Sequence, residues 1–338
     1  MGERKDTGAG AGVNAGREPV FPRPRVVVSR CLGFDACRYN GQTIADPLVA
    51  LMGEHVEFLP VCPEVEIGLG VPRDPIRIVQ REVRRRLLQP ATGREVTGEM
   101  ERFCREYLAG LGAVDGFLLK SRSPSCGPGD AKVYTGEDAS GFTRGPGLFA
   151  AAVRERFPGA AVEDEGRLKN FAIREHFLTS LYTSARFRKA AGRGSMAALV
   201  GFHTVNKLLF MGYSQSALKR MGTVVANQEH AGLDQVLGRY RELLSGLLAR
   251  PPRFTGMINV LHHALGGLSD ALSGEERRFF LNLVEEYRDE RVPLSVPLRV
   301  LEAWGVGRGN RYLQEQTLLN PFPRSLVEIT DSGKGRNR

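Results

Sequence analysis

Over the first 170 residues, short β-branched runs alternate with segments of helical period. RVVVSRCLG from Arg25, HVEFLPVC ending at Cys62 and VDGFLLKSRSPSCG ending at Gly127 each break at small residues, proline or glycine, as strands leading into turns do. Between them, ADPLVALMGEH and TGEMERFCREYLAGL repeat their apolar residues at helical spacing. This alternation predicts an α/β N-terminal domain with a mostly parallel sheet. Beyond PGAAVEDEGRL the strand signal fades and long helical patterns take over. SMAALVGFHTVNKLLFMGYSQSALKRMG predicts a helix or helix pair. SGEERRFFLNLVEEYRDERVP predicts a helix opened by a Ser273–Glu276 capping box, striped by Phe280, Leu283, Val284 and Tyr287, and stopped by Pro293. The C-terminal domain is therefore expected to be all-α.

The pattern divides the 338 residues into a disordered leader (1–24, Gly/Ala/Pro-rich), an α/β domain (25–168), a linker (169–195), a helical domain (196–310) and a polar, basic tail (311–338), disordered from about Pro321. No apolar run approaches the roughly 18 residues of a membrane span, and the N-terminus has no signal-peptide core. The expectation is a cytoplasmic protein with no membrane partner and no evident obligate protein partner. Net charge is +9, unevenly spread: residues 25–170 carry 20 cations and 20 anions, and residues 171–310 carry 18 and 12. That excess favours a polyanion as partner of the helical half.

All five cysteines, Cys31, Cys37, Cys62, Cys104 and Cys126, fall within the first 126 residues, and an odd number argues against a disulfide framework. Cys104 shares a helical stripe with Phe103, Tyr107 and Leu111 and reads as packing. Cys31, Cys62 and Cys126 each follow a strand. In a parallel sheet the carboxyl ends line the ligand crevice, so these three thiols can converge there. Spacing alone leaves buried thiol, ligand and nucleophile open, since close cysteine pairs typical of iron–sulfur and zinc sites are absent. Glu64, two positions after Cys62, places a carboxylate where it can serve as a general base, and Ser123 and Ser125 offer hydroxyls before Cys126; solvated-loop and turn-forming roles are the bland alternatives.

SRCLGFDACRYNG, PVCPEVEIGLGVPRDP and LKSRSPSCG resemble the three motifs of the TudS-like thiouracil desulfidase family, over residues 25–168. The region from Met196 to Trp304, with FHTVNKLLFMGYSQ, resembles the helical domain of formerly unknown function found in the two-domain RudS type, the tRNA 4-thiouridine desulfidases. The resemblance implies a [4Fe–4S] cluster with Cys31, Cys62 and Cys126 as ligands and one open iron, and catalytic or substrate-contacting roles for Glu64 and a loop serine. Two departures stand out. Leu32-Gly33-Phe34 replaces a Leu-Leu-Gly run with Asn40 in place of aspartate, and Cys37 occupies a position usually aliphatic, where it competes with Cys31 as a ligand.

The activity so implied is non-redox removal of sulfur from 4-thiouridine in tRNA, giving uridine and hydrogen sulfide. Arg186, Arg188 and Lys189 precede the long helical segment, and His203, Lys207, Lys219 and Arg220 lie on it. As a group they are the expected phosphate contacts. The rival readings are a non-catalytic iron–sulfur RNA-binding regulator that senses oxidants, and a desulfidase of free thiopyrimidines.

Overall fold

The computed structural model of the protein describes residues 20–82, 84–136 and 141–327. Most of the expected leader (1–19) and the end of the expected tail (328–338) lie outside the described residues. The α/β half runs β1 (Arg25–Ser29), α1 (Pro47–Gly53), β2 (Glu57–Val61), α2 (Pro63–Glu66), β3 (Arg77–Arg81), β4 (Arg84–Gln89), β5 (Arg94–Glu95), α3 (Thr97–Gly110), β6 (Gly116–Leu119), β7 (Ala131–Tyr134), β8 (Phe142–Gly145), α4 (Leu148–Arg156) and β9 (Ala161–Asp164). The helical half runs α5 (Phe171–Ala191), α6 (Met196–Val205), α7 (Lys207–Tyr213), α8 (Gln215–Ala226), α9 (Leu233–Leu248), α10 (Phe254–Gly266), α11 (Gly274–Arg288), α12 (Ser295–Gly307) and α13 (Arg311–Gln314).

The first sheet has four parallel strands in the order β2-β1-β6-β9. Val26 and Val28 face a core built with α1 and α5, whereas Val27 and Phe117 face α3 and α4, so helices cover both faces of the sheet. Being buried on both sides explains why the central strands β1 and β6 read as unbroken apolar runs. From β1 the chain moves to β2 on one side, and from β6 to β9 on the other. The carboxyl ends of β1 and β6 thus form a topological switch point, the place where such sheets open a ligand crevice.

The expected parallel sheet is present, and beside it lies a second sheet that the apolar pattern conceals. Its five strands run β5-β4-β3-β7-β8, with only β3 and β7 parallel. RIVQR and RRRLLQ read as polar because they give the core beneath α3 only Ile78 and Leu87, joined there by Ala131 and Val133 of β7, while Val79 is buried on the other face.

Three boundaries also differ from the sequence reading. The expected linker is largely α5, which lays Phe177, Leu178, Leu181 and Tyr182 against the first sheet. Gly116 makes this approach possible: a Cβ there would stand 2.3 Å from a methyl of Leu181. The expected helix pair after Ser195 is three helices, broken at Asn206 and at Ser214, whose side chain caps α8. The described part of the expected tail is packed. Gln316 bonds both Leu208 N and Thr204 O at the α6–α7 break, and Phe322 and Leu326 are buried against α1 and α5. The Ser273–Glu276 capping box and the buried Phe280, Leu283, Val284 and Tyr287 stripe of α11 are as expected. Among the described residues, no helix is long and apolar enough to cross a membrane.

Candidate active site

Three adjacent strands of the first sheet, β2, β1 and β6, each lead into a thiol-bearing loop. Cys31 lies two residues beyond β1, Cys62 follows β2 and N-caps α2, and Cys126 sits in the loop after β6. Together with Cys37 they line a cavity of about 350 Å³ at the switch point. All four thiols are free, and Cys37 and Cys126 are buried. Cys104 lies apart in α3, buried in the core with Met100 and Leu108, as its stripe predicts.

The thiols repel ionisation in one another. Burial pushes the Cys31 thiol up to about 11, and a neighbouring Cys62 thiolate adds to the shift. Burial pushes Cys37 up to about 12, reinforced by its contact with Cys62, and burial raises Cys126 well above the usual range despite a hydrogen bond from Ser29. Soft sulfur donors gathered in one cavity favour a thiophilic cation, although Lys120 and Arg38 beside Cys31 offset part of their charge. Among the described residues no three Cys, His, Asp or Glu side chains converge on a point that would hold a single ion. Cys31, Cys37, Cys62 and Cys126, the sulfur donors a cluster could use, all line the one cavity.

Glu64 projects from the first turn of α2 into the same cavity. Its Oε2 accepts from Arg73 Nη2 at 2.6 Å and Nε at 3.0 Å, while its Oε1 accepts from Ser125 Oγ at 2.9 Å and Ser123 Oγ at 3.5 Å. Arg73 is nearly fully buried, and its Nη1 donates to the carbonyls of Cys37 and Gly70. This one guanidinium therefore ties the carboxylate to the Cys37 loop. Removing one member of a buried ion pair typically costs about 3–5 kcal/mol, against about 0–1 for a surface pair, so the pair is structural as well as chemical.

The Ser123–Gly127 loop is rigid for identifiable reasons. Ser123 Oγ accepts from the backbone N–H groups of Ser125 and Cys126, closing a turn around the thiol. The start of α4 then seizes the loop carbonyls: Leu148 N donates to Pro124 O and Ala150 N to Ser125 O. Ser125 is fully buried, and its hydroxyl goes to Glu64. Gly147 is packed so closely that a Cβ would stand 2.5 Å from Ser125 O. Gly147→Ala should therefore displace the loop and lower stability by about 1–3 kcal/mol, read as a lower thermal midpoint with weakened iron retention; an unchanged midpoint would show that the loop yields freely.

Arg73 escaped the sequence reading, although it stands in the quoted GLGVPRDP. An arginine between two prolines after a glycine-rich run is the signal that could have found it. Also missed was a polar group at the cavity, where the lining residues Lys120 and Ser121 both donate to Glu165 Oε1, from Nζ at 2.6 Å and from Oγ at 2.7 Å.

The expected phosphate contacts on the helical half separate into two sets. Arg186 donates to the carbonyls of Pro321 and Asn320, Arg188 clamps the buried Asp115 with Nη2–Oδ2 at 2.8 Å, and His203 bonds Tyr240 at 3.0 Å. Burial lowers the His203 pKa, and the nearby Lys207 charge adds to the shift. These three hold the fold together. Lys189, Lys207, Lys219 and Arg220 are exposed.

The motif-bearing loops and the cavity they form coincide with a recognised sequence family. Residues 26–165 match the family model described as 2-thiouracil desulfurase. Residues 207–323 match a second family model, described as a protein of unknown function (DUF1722). The chain is thus a two-domain, desulfidase-like protein. Among curated relatives, the uncharacterized protein YbgA of Escherichia coli (strain K12) is 28% identical over 137 residues, 40% of this chain and 80% of that protein. The uncharacterized protein YbbK of Bacillus subtilis (strain 168) is 29% identical over 139 residues, 38% of this chain and 89% of that protein. A solved structure, the [4Fe-4S]-dependent thiouracil desulfidase TudS, is 31% identical and spans 43% of this chain and 93% of its own, with a TM-score of 0.36.

Proposed function

We propose that this chain removes sulfur from 4-thiouridine in tRNA, yielding uridine and hydrogen sulfide. The observation that carries the reading is the set of free thiols sharing one cavity with Glu64. Cys31, Cys62 and Cys126, each at a strand's carboxyl end, would hold a [4Fe–4S] cluster, and Cys37 would remain a neighbour. When bound, the cluster supplies an open iron, a soft Lewis acid suited to thiocarbonyl sulfur.

The protein's own residues supply the rest. Arg73 occupies Glu64 Oε2, which leaves Oε1 as the oxygen that receives hydroxyl donors and, beside them, a water. Glu64 accepts a proton from that water as its oxygen bonds the ring carbon. Water thus contributes the oxygen and two protons, the carbon–sulfur bond breaks, sulfide leaves as hydrogen sulfide, and no electrons are transferred. Ser125 fixes the carboxylate rotamer, and Ser123 fixes the loop that bears both hydroxyls. The exposed Lys189, Lys207, Lys219 and Arg220 support tRNA as the macromolecule, and a cytoplasmic setting accords with free thiols and that substrate.

Anaerobic incubation of reconstituted protein with 4-thiouridine-containing tRNA should convert the thionucleoside to uridine with equimolar sulfide. Conversion of free thiouracils alone would redirect the reading to small thiopyrimidines. A loaded protein that converts neither would be a cluster-bearing regulator.

A further inference from the structure

The charge balance of the α/β half conceals a local concentration. The five strands of the second sheet carry eight cations, Arg77, Arg81, Arg84, Arg85, Arg86, Arg94, Lys132 and Arg144, against one anion, Glu95. The register sorts them by face. Ile78 pairs with Leu87 and with Val133, and all three turn inward to the core. The alternate set therefore shares the outer face: Arg77, Arg81, Arg84, Arg86, Lys132 and Arg144, with Tyr134, Phe142 and the buried Val79 among them, and Glu95 bonded to Arg86 at 3.2 Å.

Two features of this face are unfavourable for a bare surface. Lys132 stands directly opposite Arg144 in the β7–β8 ladder, a like-charge pair that destabilises a sheet. Phe142 is 41% exposed although it belongs to a regular strand. Both become assets against a polyanion bearing flat rings. The cations lie over the aromatics, with Arg77 5.0 Å from the Tyr134 centroid and Lys132 4.5 Å from that of Phe142, and the two rings are 5.9 Å apart. Phosphates relieve the repulsion, and unpaired bases stack on exposed rings.

The face is also continuous with the thiol cavity. Pro75 and Ile76 line the cavity and lead directly into β3, and the Cys126 loop leads into β7. Because β3 and β7 are parallel, both start at the cavity, and Arg77, Lys132 and Arg144 lie at that end. Arg144 even donates to Asp130 O, in the loop that leaves Cys126.

We infer that the outer face of the β5-β4-β3-β7-β8 sheet binds RNA, guiding the backbone and unpaired bases of the substrate tRNA to the cavity; this rests on the tRNA reading above. The α/β domain thus grips the nucleic acid itself, at the rim of the reaction site, in addition to whatever the helical half contributes. RNA is preferred over a lipid surface because the aromatics are interleaved with the cations, where stacked bases fit.

The test uses the full chain, an unmodified tRNA transcript and a triple variant, Arg77→Gln with Lys132→Gln and Arg144→Gln, whose positions are exposed. Affinity should fall about 10- to 100-fold, and the slope of log K against log salt should shrink by about two to three, one unit per lost phosphate contact. The charge-keeping triple Arg77→Lys, Lys132→Arg and Arg144→Lys should retain most of the affinity, and both variants should keep the wild-type thermal midpoint. Wild-type affinity and salt slope in the glutamine variant would overturn the inference while leaving tRNA desulfidation intact. Salt-dependent binding through this face by a protein that converts no 4-thiouridine would retain the inference and remove the substrate reading instead.

Discussion

Cys62→Ala should leave a protein with at most trace iron and no desulfidation. Cys62 is near each of the other thiols: it acts electrostatically on Cys31 and Cys126, and its Sγ donates to the Cys37 carbonyl at 3.8 Å. Reconstituted wild type should hold about four irons and four sulfides per chain, as a [4Fe–4S] cluster demands. Cys31→Ala and Cys126→Ala should behave as Cys62→Ala does, because three ligands leave no spare. Cys37→Ala should retain the iron, and Cys104→Ala, whose thiol is in the helical core stripe, should do so as well. Iron and sulfide analysis with the visible absorption band checks the series. If Cys37→Ala lost the cluster while Cys31→Ala kept it, the ligand set would be Cys37, Cys62 and Cys126.

Glu64→Gln should lower kcat by roughly 10²-fold or more while cluster content and tRNA affinity stay near wild type. The amide keeps an oxygen for the Ser125 hydroxyl but cannot take a proton from water. Arg73 retains the Cys37 and Gly70 carbonyls in this variant, so the loops it joins remain tethered. Arg73→Ala is the less informative change, since it would leave Glu64 charged, enclosed and unpaired, and the resulting instability would obscure any effect on rate. Single-turnover assays at saturating tRNA, with the thermal midpoint measured alongside, separate chemistry from folding. Undiminished turnover in Glu64→Gln would remove the carboxylate from proton transfer and leave it a purely structural partner of Arg73.

Much of the architecture is local in origin, and so it was legible along the chain. Strands buried on both faces must be continuously apolar, and amphipathic helices must repeat near 3.6 residues, which is why RVVVS, GFLL and the α11 stripe with its Ser273–Glu276 cap can be read without coordinates. The placement of one thiol beyond each of β1, β2 and β6 follows in the same way, because a parallel sheet brings its carboxyl ends to one edge. What the chain concealed depends on register and on distant partners. Which groups Arg186, Arg188 and His203 bond within the protein depends on Pro321, Asp115 and Tyr240, each at least 37 residues away. Arg73 becomes part of the site only because its loop folds back onto Glu64 and Cys37. The second sheet escaped because, Val79 apart, one of its faces is largely charged, and the side of the pleat on which those charges gather is decided by strand pairing. Residue order thus determined the elements and the thiols they deliver, since periodicity and turn chemistry act over a few residues. Tertiary structure alone decided which charges are paired, which carboxylate is clamped and which face is left positive, because those depend on contacts between segments that nothing in the local sequence ties together.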